Sequence, residues 1–290
     1  MTTDPRAENQ DIAQRLREAA DLLEAQGANP FRVAAYRRGA DTVAGLPEGV
    51  RQAFDAHGLD GLDALPHVGR GLASAIAEML VTGSWTQLER LRGTVDPVAL
   101  FQSIPGVGRE LAERLHEALH VDTLEALEAA CHDGRLAGVP GVGPRRSASI
   151  RDSLTAMLDR SRRRRRGPPP SGAAEPPVDL LLAVDADYRR QAAAGTLERI
   201  APRRFNPEGR AWLPVLHATR DEWHYTALYS NTARAHELGR VFDWVVIYFH
   251  HDSQAELQRT VVTETHGALA GRRVVRGRED ECREWYASPR

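Results

Sequence analysis

The chain contains no lysine; all 38 of its basic residues are arginine. A guanidinium stays protonated, so no side chain can act as a Schiff-base amine. Only the α-amino group of Met1, or of Thr2 after processing, is left for such chemistry. Cysteine is almost as scarce. Cys131 and Cys282 are the only two, which excludes a disulfide framework and a cysteine-based zinc site. No apolar run approaches the length of a membrane span. The opening MTTDPRAENQ lacks the charged and apolar regions of a signal peptide. These absences lead us to expect a soluble cytoplasmic protein with no membrane partner.

An excess of positive charge is missing too. The net charge is −2, whereas a protein gripping nucleic acid through charge alone would be more basic. The balance is uneven along the chain. Residues 1–160 carry 17 Arg against 23 acids, Arg162–Arg166 form an unbroken basic block, and the remainder holds 16 Arg against 17 acids.

What is present is a repeat. LPHVGRGLASAIAEML (65–80), IPGVGRELAERLHEAL (104–119) and VPGVGPRRSASIRDSL (139–154) each join an apolar residue and Pro to a Gly-rich turn and an amphipathic helix. In the middle copy Pro105 stops the preceding helix. Gly106 and Gly108 flank Val107 and permit positive φ and close approach of another backbone. Leu111, Leu115 and Leu119 then share one helical face. The third copy repeats this with Gly141 and Gly143; the first replaces the leading Gly by His67 and keeps Gly69. A tight turn opening into a helix presents free N–H groups in one direction, a geometry suited to an anion. The three copies read as helix-hairpin-helix units.

A length of 290 residues and a hydrophobic fraction of 42% suit two or three globular domains. Residues 8–93 read as a small helical domain, with Ile12, Leu16, Ala19, Leu22 and Leu23 on one helix face and Asn29-Pro30 opening the next helix. Residues 96–158 hold the other two hairpins in tandem. Residues 161–177, SRRRRRGPPPSGAAEPP, read as an Arg- and Pro-rich linker. Residues 178–290 change pattern. DLLLAV, AWLPVLHA, HYTALYS, DWVVIYFH, LQRTVVTE and GRRVVRG have strand character, Asp185 to Ala194 looks helical, and EDECREWYA closes as a helix. DWVVIYFH is apolar on both faces, as a central strand covered on each side would be. The expected fold is multi-domain: an all-α helix-hairpin-helix N-terminal half and an α+β C-terminal domain with a mostly antiparallel sheet.

The first 158 residues resemble the N-terminal half of family X DNA polymerases, through NPFRVAAYRRGADTV, the first hairpin with TGSWTQLERL, and the tandem hairpins, in the family's order. The resemblance implies that the first domain holds the 5′-phosphate side of a DNA gap. It implies that the tandem hairpins hold the duplex through backbone N–H groups, with a monovalent cation at the hairpin carbonyls; no other cofactor is expected. Residue by residue, the 5′-phosphate contacts fall on Arg32 and Tyr36. The hairpin contacts fall on Gly69, Gly106, Gly108, Arg109, Gly141, Gly143, Arg145 and Arg146. The family's hairpin lysine falls on Gly71 and its Schiff-base lysine on Ala75, so lysine-type lyase chemistry is lost. Residues 178–290 show neither the Gly-Ser start nor the three metal-binding carboxylates of a polymerase palm. They resemble a domain of other bacterial helix-hairpin-helix proteins, through IAPRRFNPEGRAWLPVLH and LYSNTARAHELG.

Several side chains of this last part have chemical potential. Asp185 and Asp187 are read either as magnesium ligands or as a helix cap and first-turn acid. Arg203, Arg204 and Arg210 form one basic cluster, and Arg272, Arg273, Arg276 and Arg278 another. Trp212, Trp223, Tyr225 and Tyr229 could stack bases beside them. His236, Asp243 and Glu264 are the candidates for a hydrolytic acid–base or metal site. Three functions compete. The leading one is a non-polymerase, non-sequence-specific DNA-binding protein of repair. It would act on gapped, nicked or broken DNA, with 5′-phosphorylated ends preferred, repair proteins as partners and the nucleoid as location. The rivals are a DNA-processing hydrolase with its site in 178–290 and a protein-recruiting adaptor.

Overall fold

The structure is a computed structural model and describes residues 4–94, 96–162, 175–251 and 256–288. The helical half runs α1 (Pro5–Ala25), α2 (Pro30–Gly45), α3 (Val50–Asp63), α4 (Arg70–Thr82), α5 (Thr86–Arg92), α6 (Pro97–Gln102), α7 (Arg109–Leu119), α8 (Leu124–His132) and α9 (Pro144–Arg162). Local chemistry sets these starts. Asp4, Asn29 and Asp96 each accept a main-chain N–H with their side chain, and a proline follows at the first helical position. Two separate cores result. One gathers Ile12 to Leu91, the other Phe101 to Leu158.

The second half runs α10 (Val178–Ala194), β1 (Arg199–Ile200), β2 (Leu213–Arg220), β3 (Trp223–Tyr229), α11 (Ala233–Glu237), β4 (Val245–His251), β5 (Leu257–Thr263), β6 (Arg273–Val275) and α12 (Glu279–Ala287). The six strands form an antiparallel meander in sequence order. The chain is therefore helical with hairpin units first and α+β with an antiparallel sheet second, as expected. Two elements differ: the short strand β1 was not expected, and one expected strand is a helix. DLLLAV is the start of helix α10, not a strand. A short apolar run looks alike in both states. Here helix is required, because Asp185 must reach Arg273 while Tyr188, one turn on, donates its hydroxyl to Pro214 O at 3.0 Å. Of the proposed linker, residues 163–174, with most of the Arg162–Arg166 block, lie outside the described residues.

The sheet has two faces of opposite chemistry, which strand alternation separates. Tyr225, Ile247, Phe249, Val261 and Val275 share the face on which α10 and α12 pack. The other face carries His217, Thr226, Tyr248 and Gln258 in one cross-strand row. That row packs against the helical half. The two-sided cover expected of DWVVIYFH is real, and the helical half supplies one side of it.

Candidate nucleic-acid interface

All three hairpins have one backbone. The residue after Pro takes a left-handed conformation: φ is 60° at His67, 81° at Gly106 and 79° at Gly141. The next residue, Val68, Val107 or Val142, is buried and donates its N–H to the residue before Pro at 3.0–3.1 Å. The glycine that follows caps the helix without a side-chain bond, with φ, ψ of −81°, 174° at Gly69 and −81°, 173° at Gly108. The carbonyls of Gly69, Gly108 and Gly143 each receive the fourth N–H beyond them at 2.9 Å. A Cβ placed on Gly69, Gly106, Gly108 or Gly143 would meet nothing within 4 Å. The capping glycines therefore face open space, and the helix starts beyond them leave their first N–H groups without an intrahelical partner, one fewer in the third copy because Pro144 carries none.

The side chains beside the turns differ. Arg109 is 79% exposed and pairs with Glu113 on its own helix at 2.9 Å. Arg145 and Arg146 are exposed, and Arg146 donates to Gly141 O at 3.3 Å. Arg70, in the first copy, is turned back onto Asp60 at 2.7 Å. Ala75, where the resemblance would put a Schiff-base lysine, is buried in the first core.

Arg32 and Tyr36 lie elsewhere, at the seam between the halves. Tyr36 stacks on Trp85 and donates its hydroxyl to Gln87 Oε1 at 3.0 Å. Arg32 is 9% exposed, yet its Nε and Nη2 have no partner among the described residues. Around it the seam is a continuous polar network. Gln26 accepts from His217 Nε2 at 3.0 Å and gives its own amide to Leu91 O. Arg90 pairs with Glu256 and lies 3.4 Å above the Tyr248 ring. Asp122 accepts from the Tyr248 hydroxyl and from His116 Nε2, and its own N–H donates to Gln258 Oε1 at 2.9 Å. Arg204 completes the row by donating to His116 Nδ1 at 3.3 Å.

The electrostatics follow from burial. Desolvation, with Arg32 and Arg90 adding to it, pushes the His217 imidazole down to about 3. The same causes take His250 well below its ordinary value, and burial takes His120 down to about 4. Burial alone would raise Asp122, but the hydrogen bonds from His116 and Tyr248 win and hold its carboxyl low. At Gly93 the halves touch so closely that a Cβ would sit 2.7 Å from Ala201 O. None of this network was found from sequence. The available signal was polar residues on alternate positions of strands whose other positions are apolar.

The remaining candidates disperse. His236 donates Nε2–H to Asn231 Oδ1 at 2.6 Å; Asp243 accepts from Thr263 and Arg273; Glu264 accepts from Arg276. Each has its own partner, because Asp243 and Glu264 anchor arginines that tie β6 to its neighbours. Asp185 is locked by Arg273, and Asp187 by Arg190 and Arg220. Among the described residues no group of three or more His, Cys, Asp or Glu is placed to hold a metal ion. Arg273, Arg276 and Arg278 are consumed by acids, and Arg272 lies over Tyr286. Tyr225 and Tyr229 are buried, so they are core and not a stacking surface. Among the described residues no helix is long and apolar enough to cross a membrane.

Comparison with known proteins agrees with the backbone. Residues 7–85 match a helix-hairpin-helix domain, and residues 98–156 a SAM-like helix-hairpin-helix tandem. Over 145 residues, half of this chain, the sequence is 30% identical to the DNA polymerase/3′-5′ exonuclease PolX of Bacillus subtilis. The N-terminal half is thus similar to part of a family X polymerase; the chain spans about a quarter (24%) of that protein's length.

Proposed function

We propose that this protein binds duplex DNA through its hairpins, without base specificity, and serves in DNA repair. One observation carries the reading: three turns share one φ pattern, and their helix-capping glycines, Gly69, Gly108 and Gly143, open onto empty space at a helix N-terminus. Phosphate oxygens are the acceptors such an array fits, and phosphate contacts carry no sequence information. Backbone donors also explain how a chain of net charge −2 can hold a polyanion. Any monovalent cation at the turns would be held by main-chain carbonyls, where it would bridge them to a phosphate.

The finer part of the proposal concerns broken DNA. Gapped or nicked DNA with a 5′-phosphate is the preferred substrate. Two Arg32 nitrogens lack an acceptor among the described residues, and a 5′-phosphate would supply one if the side chain swings out of the seam where it is buried. Nucleoid location and repair-protein partners belong to the same proposal.

Gly108→Val tests the core of it. The backbone there suits any residue, and the added side chain points into open space, so the fold should survive while duplex binding in a gel-shift assay weakens at least tenfold. A folded variant with unchanged affinity would refute the reading. For the 5′ end, gapped duplexes with phosphate or hydroxyl are compared on the wild type and on Arg32→Gln. The phosphate preference should vanish in the variant.

A further inference from the structure

The two motif stretches of the C-terminal half meet at one place on its surface. Phe205 has φ of 53°, a left-handed conformation that a bulky side chain rarely takes, and it is 46% exposed. The surrounding bonds hold it there. Asn206 brackets the following turn, donating to Arg210 O at 2.8 Å and accepting from Arg210 N–H at 3.1 Å. Asn231 donates to Arg204 O at 2.8 Å, and its own oxygen is fixed by His236 Nε2–H. The His236 ring lies 4.5 Å from the Phe205 ring, as a support beneath it. Burial, then Arg204, lowers the His236 pKa.

Phe242 is a second exposed ring, at 69%, propped edge-on by Trp212 and Tyr229 at 6.1 and 5.4 Å. Arg203 is exposed, and the Arg204 guanidinium lies 5.1 Å from the Phe205 ring centre. Neither arginine has a carboxylate within ion-pair distance among the described residues. Backbone strain at an exposed aromatic and unneutralised guanidiniums beside it together call for a ligand with a flat apolar face and negative charge. Nucleic-acid bases with their phosphates are such a ligand, and only unpaired bases offer their faces.

We propose that Phe205 and Phe242, with Arg203 and Arg204, form a stacking site for a single-stranded DNA segment. The site adds to the duplex-binding reading. Arg204 also donates to His116 of α7, whose N-terminus is the middle hairpin. From Arg109 to His116 the helix rises about 10 Å, at roughly 1.5 Å per residue. Arg204 thus contacts α7 about two helical turns from that hairpin, within reach of a strand leaving a duplex held there. His236 and Asn231 are positioning residues here.

The test uses the full chain and fluorescence anisotropy with three probes: a short thymidine oligonucleotide, a blunt duplex, and the same duplex with a single-stranded tail. Phe205→Gly keeps the left-handed backbone and removes the ring; Phe242→Ser removes the other ring; Phe242→Trp keeps a stacking face. The two ring deletions should each weaken oligonucleotide and tailed-duplex binding about fivefold or more, with blunt-duplex affinity unchanged. Phe242→Trp should bind as the wild type does. Unchanged oligonucleotide affinity in the ring deletions, or an equal loss on blunt duplex, overturns the proposal. Gly108→Val separates the two readings. It should reduce blunt-duplex binding and spare the oligonucleotide, and if it spares both, the hairpin reading fails while the ring deletions still decide the stacking site.

Discussion

The hairpins and the seam use polar groups in opposite ways. At the hairpins the working atoms are main-chain N–H groups beside glycines that face solvent, with one buried valine anchoring each turn. At the seam the working atoms belong to side chains, nearly all are buried, and most find a partner. The hairpin backbone tolerates little change in φ but almost any neighbouring side chain. The seam instead depends on a fixed set of side-chain donors and acceptors. A substitution at the seam should thus act mainly on stability, and one at a hairpin mainly on binding, with a small strain effect where φ is positive.

The largest expected effect is at Asp122. Asp122→Ala leaves the Tyr248 hydroxyl and His116 Nε2–H without their acceptor in a buried site. The loss should be about 3–5 kcal/mol, read from the urea midpoint. A loss below about 1 kcal/mol would remove the seam's claim to hold the halves together.

Acid should act next. His120, His217 and His250 bind protons in the unfolded chain near pH 6.5 but resist them when folded. Below that pH the unfolded state holds more protons, so stability falls as pH falls. The loss begins near pH 6.5 and runs through about 4 for His120 and about 3 for His217, at up to roughly 1.4 kcal/mol per pH unit for each group. Asp122, held low, adds its own loss at still lower pH; Asp185, whose carboxyl burial raises, acts in the opposite sense. Denaturation midpoints at pH 7.5 and 5 should differ, and His217→Gln should shrink the difference.

The smallest effects sharpen the hairpin side. Gly106→Ala puts a Cβ at φ of 81° and should cost about 1 kcal/mol. His67→Gly relieves the same strain in the first hairpin and should stabilise by about 1 kcal/mol or less. Thermal melts of both variants check the signs. If His67→Gly destabilises, the first turn is held by its side chain and differs in kind from the other two.

Legibility in the sequence divides along the same line. The hairpins were readable because Pro, Gly and an apolar residue at fixed spacing dictate a turn by themselves. The cap at Asn29 was readable for the same reason. Helix α10 was misread because DLLLAV is too short for period alone to decide, and what makes it helix is Arg273, nearly a hundred residues away. The use of His217 depends on Gln26 from the other half and on the Thr226 hydroxyl across the sheet. His236, Asp243 and Glu264 were plausible together only while their separate partners were unknown. Phe205 escaped attention because nothing local marks a phenylalanine held at positive φ.

The meander order of the sheet has a kinetic consequence. Every strand pairs with its neighbour in sequence, and the two helical cores are equally local, so the three cores close short loops and should form fast. The seam joins Gln26 to His217, Arg90 to Glu256 and Asp122 to Tyr248, closures of well over a hundred residues each. Docking of the halves is therefore the late event of folding. Bonds made after the barrier govern the rate of unfolding more than that of folding. The seam should act as a brake on coming apart, so weakening it would shorten the lifetime of the docked state while each core still folds at its own pace.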